Sequence, residues 1–348
     1  MRLLRDNLHD FIGKTVLVRC NFDVPIDPSV GGAADGGKVL DSTRIEGAGE
    51  TLRLLLDQGC KIVLLAHYDR PEGRDKDKSL LPVVDVLEEM LGETVDFIEE
   101  IDKLAVENSP ARIVLLENLR FWPGEKSNDK DFVANLSKLG EVYVNEAFAN
   151  SHRMHASVSG LAEKMYSVAG VQLEREIKVL SKIRENPSRP LVVVIGGAKL
   201  ETKEPLVWAF KDKADAILVG GKVADDLRTK HADLPKNVLL ADQQDNLKDI
   251  SEESARMFAN RILSAGTVIW NGTLGVFEDE RYRNGTILVA NAVDQTKAFT
   301  VVGGGDTETA LTVLDLEHNI DHISSGGGAM LEFLVHGTLV GIEALGYG

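Results

Sequence analysis

The chain has 348 residues, of which 43% are hydrophobic and 27% charged, and it carries a formal net charge of −16. That length is a soft prior for about two domains, and the composition is that of a globular protein with sizeable cores. The acidic balance argues against a general nucleic-acid surface, and any anionic substrate would need a local cluster of basic groups.

No apolar run approaches the roughly 20 residues of a membrane span. The N-terminus has acids within its first residues and no long apolar stretch, so no signal peptide and no membrane contact is expected, and a cytoplasmic location is. The two cysteines, Cys20 and Cys60, lie inside apolar runs and read as core thiols of a reducing compartment.

In chain order, short apolar runs alternate with amphipathic stretches. Strands are expected at 16–18, 61–66, 113–116, 141–144, 191–195, 216–219, 268–270, 299–302 and 321–324, with helices at 47–58, 81–91, 131–139 and 251–263 between them. This alternation predicts an α/β protein with parallel sheets. Ligands of such sheets collect beyond the carboxyl ends of the strands, so the residues after each run matter most. Residues 170–186 read as a charged helical connector, because the residue types at the strand ends change from one side of it to the other. The glycine-rich stretch at 31–37 reads as a flexible loop within the first half.

Before the connector, the strand ends gather positive charge. Along the first strand Arg19, Asn21 and Asp23 fall on one face and Cys20 and Phe22 on the other. Buried polar groups of that kind are costly without partners. Arg44 comes shortly after. The second strand ends in His67, Tyr68, Asp69 and Arg70, the third in Glu117, Asn118 and Arg120. The fourth leads into Asn145, Glu146, His152, Arg153 and His155. One arginine at a strand end reads as a solvated surface group. Arg44, Arg70, Arg120 and Arg153 together read as a cage for a small polyanion, since the guanidinium fork binds phosphate and carboxylate bidentately. His67, His152 and His155 are not expected to hold zinc, because the adjacent arginines would repel it.

After the connector, the strand ends gather glycine: Gly196-Gly197, Gly220-Gly221, Gly303-Gly304-Gly305 and Gly326-Gly327-Gly328. Glycine lets backbone N–H groups approach phosphates. Lys199 and Lys203, four apart, share one face if helical and are placed to reach phosphates. Asp306, after a glycine triplet, suits Mg²⁺ carried by a nucleotide. Glu278 reads either as a ribose ligand or as a plain surface acid. Neither a G-x-x-x-x-G-K-[ST] nor a G-x-G-x-x-G occurs, which removes the usual signatures of P-loop and dinucleotide-binding proteins.

Taken together, the motifs closely resemble the phosphoglycerate kinase family along nearly the whole chain. They run from Arg19 to Pro25, then Thr43–Ile45, Ala66–Pro71, Glu117–Phe121 and Asn145–Ser157. In the second half they are Gly196–Lys203, Trp270–Glu278, Gly303–Thr307 and Ser325–Ala329. The resemblance implies two doubly wound parallel-sheet domains of Rossmann-like type, facing a cleft and joined by a helix. It divides the chain into an N-terminal acid-binding domain (1–169), a connector and nucleotide-binding domain (170–325), and a C-terminal segment (326–348) returning to the first domain. It implies a monomeric transferase that moves a phosphoryl group reversibly between MgATP and 3-phosphoglycerate, giving MgADP and 1,3-bisphosphoglycerate. Asn21, Asp23, Arg44, His67, Arg70, Arg120 and Arg153 would hold the acid. Lys199, Lys203, Glu278, Gly304, Gly305, Asp306 and Thr307 would hold the nucleotide, Asp306 near the magnesium. Arg44, Lys199 and the amides of Gly326, Gly327 and Gly328 would stabilise the transferring group. A non-catalytic member that binds nucleotide or phosphate for regulation is the alternative.

The sequence departs from the family pattern at several points. Asn21 and Asp23 stand in exchanged order, Asp69 replaces a glycine, Glu146 an aspartate, Thr273 a proline and Lys222 a third glycine. Asp69 should weaken anion binding unless a cation pairs with it. The 223–249 stretch is short, which predicts a more open base pocket.

Overall fold

The computed structural model describes residues 1–27, 29–30, 37–244 and 248–347. Most of the glycine-rich stretch expected to be a flexible loop, residues 31–36, lies outside them. Fourteen strands are present among the described residues: β1 Thr15–Arg19, β2 Ile26–Asp27, β3 Lys38–Val39, β4 Lys61–Leu65, β5 Val95–Ile98, β6 Ile113–Leu116, β7 Val142–Asn145, β8 Tyr166–Ala169, β9 Leu191–Ile195, β10 Ala216–Val219, β11 Val238–Leu240, β12 Thr267–Asn271, β13 Phe299–Gly303 and β14 His322–Ser324. The short pair β2–β3 is antiparallel. The other twelve form two six-stranded sheets in which every pairing is parallel, ordered β5-β6-β4-β1-β7-β8 and β11-β10-β9-β12-β13-β14.

Two compact units contain these sheets, one of residues 1–177 with 338–348 and one of residues 178–337. The fold class is therefore two parallel-sheet α/β units. The change from one unit to the next falls inside the helix Val171–Glu185, the expected connector.

The central strands are buried on both faces, as parallel sheets covered by helices must be. Val16, Val18, Cys20 and Phe22 join one core cluster, so the expected alternation continues past the end of β1. The cores of the two units are separate, the second built around Val192, Val194, Leu218, Phe258, Trp270 and Val302. The helix expected over 47–58 is present as Gly49–Asp57, preceded by a separate short helical turn at Thr43–Glu46 that was not expected.

Both sheets grow outward from a central strand and then reverse. The reversal lies between β1 and β7 in the first unit and between β9 and β12 in the second. Such a switch point opens a crevice at the carboxyl ends of the strands. The basic strand ends of the first unit and the glycine turns of the second stand at these ends.

Candidate active site

The first site is built on β1. Arg19 is fully buried. Its Nε donates to Ser157 Oγ at 2.7 Å, its Nη1 donates to the Cys20 carbonyl, and its Nη2 lies 2.9 Å from His67 Nδ1. Ser157 donates from its backbone and its hydroxyl to the buried carboxylate of Glu125, at 3.0 and 2.6 Å. A buried cation is thus matched to a buried anion through a hydroxyl, which offsets the cost of desolvating both. The sequence placed Arg19 among the side chains lining the site but not among the residues expected to hold the acid. The signal was there, since alternation had put it on the face of Asn21 and Asp23.

Asp23 is the junction of the site. Its carbonyl accepts from Arg44 Nη1 at 2.5 Å. One carboxylate oxygen accepts from the Asp69 N–H at 2.8 Å, and the other lies 3.8 Å from His67 Nε2. Asn21, two positions earlier, is buried. Asn118, also missed as a site residue, ties the neighbouring loop together. Its side-chain nitrogen donates to the carbonyls of Tyr68 and Lys78 at 2.7 and 2.8 Å. Asp69 has φ +53°, the left-handed region that favours glycine and that aspartate tolerates better than most residues. That accounts for glycine being usual at this position. The Asp69 carbonyl accepts from Arg120 Nη1.

Burial and mutual repulsion set the charge states. Burial, then Arg153, pulls Arg120 down to about 10, with Asp23 opposing. Arg153 is lowered by burial and then by Arg70, again with Asp23 opposing. Both remain cations at neutral pH. His67 is held well below its ordinary value by burial and then by Arg19, Arg120 and Arg153, and His155 is held at about 4 for the same reasons. Both imidazoles are therefore neutral. Arg120 Nε is buried without a partner. Arg19, Arg70, Arg120 and Arg153 influence one another electrostatically, and Asp23 is the carboxylate that offsets both Arg120 and Arg153. A small anion would complete this arrangement. Among the described residues no three His, Cys, Asp or Glu side chains converge as a metal site.

The second site is built from backbone. At Gly196 a Cβ would fall 2.2 Å from the Thr273 carbonyl, and at Gly327 one would fall 2.4 Å from the Gly304 Cα. The turns after β9 and β12 therefore pack backbone against backbone, as do those after β13 and β14. Their bonds confirm it: Gly196 N–H donates to the Asn271 carbonyl at 2.9 Å and Gly197 N–H to the Thr273 carbonyl at 2.8 Å. Thr307 Oγ1 accepts from the Gly272 N–H at 2.8 Å. Gly304 and Gly326 cap the helices Gly305–Leu314 and Gly327–His336. Helix N-termini of this kind favour anions.

Lys203 Nζ donates to Asn271 Oδ1, across the switch point. Burial lowers Lys203 to about 8, with Asp306 opposing. Lys199 and Lys203 do not share a helical face. Lys199 is the extended cap of the helix Leu200–Phe210 and stands exposed, because the glycine turn continues up to it. Asp306 is exposed in the first turn of its helix. Glu278 is exposed next to the buried Phe277, and no hydrogen bond or ion pair joins it to Lys203 or Asp306 among the described residues. Lys222, which stands in place of a glycine, turns outward to Asp226 at 2.6 Å.

The phosphoglycerate kinase family model matches residues 5–232 and 224–336. The phosphoglycerate kinase of Moorella thermoacetica is 36% identical over 385 aligned positions, covering 95% of this chain and 96% of the relative. That of Trichodesmium erythraeum is 36% identical, covering 97% and 96%. These alignments are longer than the chain, so the relatives hold residues that it lacks. Among solved structures, the phosphoglycerate kinase of Coxiella burnetii is similar with a TM-score of 0.81 at 30% identity over 97% of both chains. The enzyme from Pyrococcus horikoshii gives 0.83 at 27% identity, over 99% and 98%. With its two parallel-sheet units, its ordered motifs and these relatives, the chain belongs to the phosphoglycerate kinase family and is a phosphotransferase of glycolysis.

Proposed function

We propose that the arginine cluster of the first unit binds 3-phosphoglycerate or 1,3-bisphosphoglycerate and that the glycine turns of the second bind ATP or ADP with magnesium. The observation that carries this reading is the electrostatic cluster of Arg120 and Arg153, coupled to Asp23 and also to Arg19 and Arg70, with Arg120 Nε buried and unpartnered. Asn21, Asp23, His67, Arg70, Arg120 and Arg153 hold the acid. Lys203, Glu278, Gly304, Gly305 and Thr307 hold the nucleotide. Asp306, an exposed hard-oxygen donor beside Lys203, suits Mg²⁺. When bound, that ion supplies charge neutralisation on the phosphate oxygens.

The substrate carboxylate is already ionised at neutral pH, so its attack on a phosphoryl group needs no general base. The neutral His67 and His155 fit that requirement. The protein's tasks are positioning and charge stabilisation. Arg44, Lys199 and the amides of Gly326, Gly327 and Gly328 are assigned to the charge on the transferring group. The reacting atoms must come within about 3–3.5 Å, and water must be kept from the acyl phosphate. We read the protein as a cytoplasmic monomer. A coupled assay with 3-phosphoglycerate and MgATP tests the reading. Turnover is expected. Nucleotide binding without turnover would instead make the chain a regulatory member of its family.

A further inference from the structure

The loop after β4 carries an acid where its neighbours require a backbone rather than a side chain. The Asp69 N–H donates to Asp23 Oδ1 at 2.8 Å, and its carbonyl accepts from Arg120 Nη1. Those two bonds fix Asp69 beside groups assigned above to the acid substrate. Glycine would make both bonds at φ +53° without adding charge. Aspartate adds a carboxylate that accepts from the Arg70 N–H and feels the charge of Arg120, where it competes with an incoming anion for that cation.

Lys78 meets that carboxylate, its Nζ lying 2.6 Å from Asp69 Oδ2. The lysine is itself anchored. Its carbonyl accepts from Asn118 Nδ2, which also holds the Tyr68 carbonyl, and its ammonium lies 5.4 Å from the centre of the Tyr68 ring. Residues 68, 69 and 78 are therefore braced as one piece. An ion pair this exposed contributes little to stability, so its effect is expected on the field around the site instead.

We propose that Lys78 is a positioning and charge-masking residue, which draws the Asp69 carboxylate away from the arginine cluster and so keeps this departure from glycine compatible with an anionic substrate. The proposal rests on the reading of that cluster as the acid-binding site.

The test uses the parent protein, Lys78→Met, Asp69→Asn and the double variant, all checked for an unchanged fold by circular dichroism. Lys78→Met should raise the KM for 3-phosphoglycerate by about fivefold, the upper end for an exposed pair, with kcat and the KM for MgATP little changed. Asp69→Asn should restore the KM in the Lys78→Met background, because it removes the charge that Lys78 masks. Equal impairment of Lys78→Met and the double variant, or no impairment of either, overturns the proposal. Thermal stabilisation by inorganic phosphate is measured on the same four proteins. If phosphate distinguishes Lys78→Met from the parent and from the double variant while 3-phosphoglycerate is a substrate for none, the masking stands and the substrate reading falls.

Discussion

Asn21 and Asp23 stand in exchanged order relative to the family pattern, and the structure gives them unequal work. Asp23 holds Arg44 through its carbonyl, and through its carboxylate it meets the Asp69 N–H and faces His67. It also offsets Arg120 and Arg153. An amide at 23 would still accept the Asp69 N–H, but it would leave those arginines without their carboxylate. A second carboxylate at 21 would stand on the same face beside an anionic ligand. Asn21→Asp alone is therefore expected to weaken 3-phosphoglycerate binding by about tenfold, the scale of one uncompensated polar group at a desolvated site. Adding Asp23→Asn should recover most of that loss, a coupling seen only when neighbouring sites share partners. Calorimetric affinities of all four proteins check it, and additive effects would show the exchange to be uncompensated. The identities of these residues were legible in the sequence. Their partners were not, because the Asp69 N–H and His67 come from a distant part of the chain.

At the scale of elements, a turn in the first unit and a helix in the second each carry a group whose protonation is set by packing. Glu146 lies just past β7 and is wholly buried against Thr51 of the helix Gly49–Asp57 and the first turn of the helix Val171–Glu185. It accepts from Thr51 Oγ1 at 2.8 Å and from the Gln172 N–H at 2.9 Å, while its second oxygen has no partner. Burial raises it to about 8 from an ordinary 4.5, with Gln172, Thr51, Leu173 and Arg175 opposing. The native state thus keeps a proton that the unfolded chain releases. Stability from this group is complete below about pH 4.5, falls as pH rises towards about 8, and levels beyond it. Glu146→Gln should flatten the pH dependence of urea unfolding across that window. In the second unit Lys203 is lowered to about 8, first by burial. Its charge is lost as pH rises through that value, so MgADP affinity should decline above about pH 8. Lys203→Arg, which stays protonated, should hold the affinity of this site constant to higher pH. Titrations of both proteins at several pH values decide it.

For the molecule as a whole, the last residues belong to the first unit although the second unit intervenes in sequence. Leu339, Ile342 and Leu345 are buried there, the Gly341 N–H donates to the Ser151 carbonyl at 2.7 Å, and the N-terminal amine donates to the Gly346 carbonyl at 2.7 Å. Three buried aliphatic side chains are worth about 5 kcal/mol together. Ending the chain at Gly337 should lower the melting temperature of the first unit and weaken 3-phosphoglycerate binding, because Ser151 neighbours Arg153. Differential scanning calorimetry and calorimetric titration measure the two effects. Arg44 and Lys199 are each proposed to act on the charge of the transferring group. Arg44→Ala and Lys199→Ala should each lower kcat far more than they raise either KM. A change confined to KM would reassign them to ground-state binding.

The sequence by itself determined the α/β class, the strands inside each sheet and the order of the motifs. A short apolar run rich in β-branched residues and bounded by glycine or polar turns reads as a buried parallel strand. The glycine clusters were legible for a similar reason, since each follows such a run, and the arginines were legible from their recurrence in the segments after the strands. Besides the short antiparallel pair β2–β3, three strands of the two large sheets, β5, β8 and β11, were not foreseen. These three are sheet edges, and β5 and β11 are only partly buried, so pairing with the neighbouring strand, rather than local pattern, makes them strands. Tertiary structure alone also decided that Lys199 caps its helix instead of sharing a face with Lys203, that Arg19 is matched to Glu125 through Ser157, and that Lys78 answers the charge of Asp69. Each of these depends on a partner whose distance is set by how elements pack, and sequence spacing carries no measure of that distance.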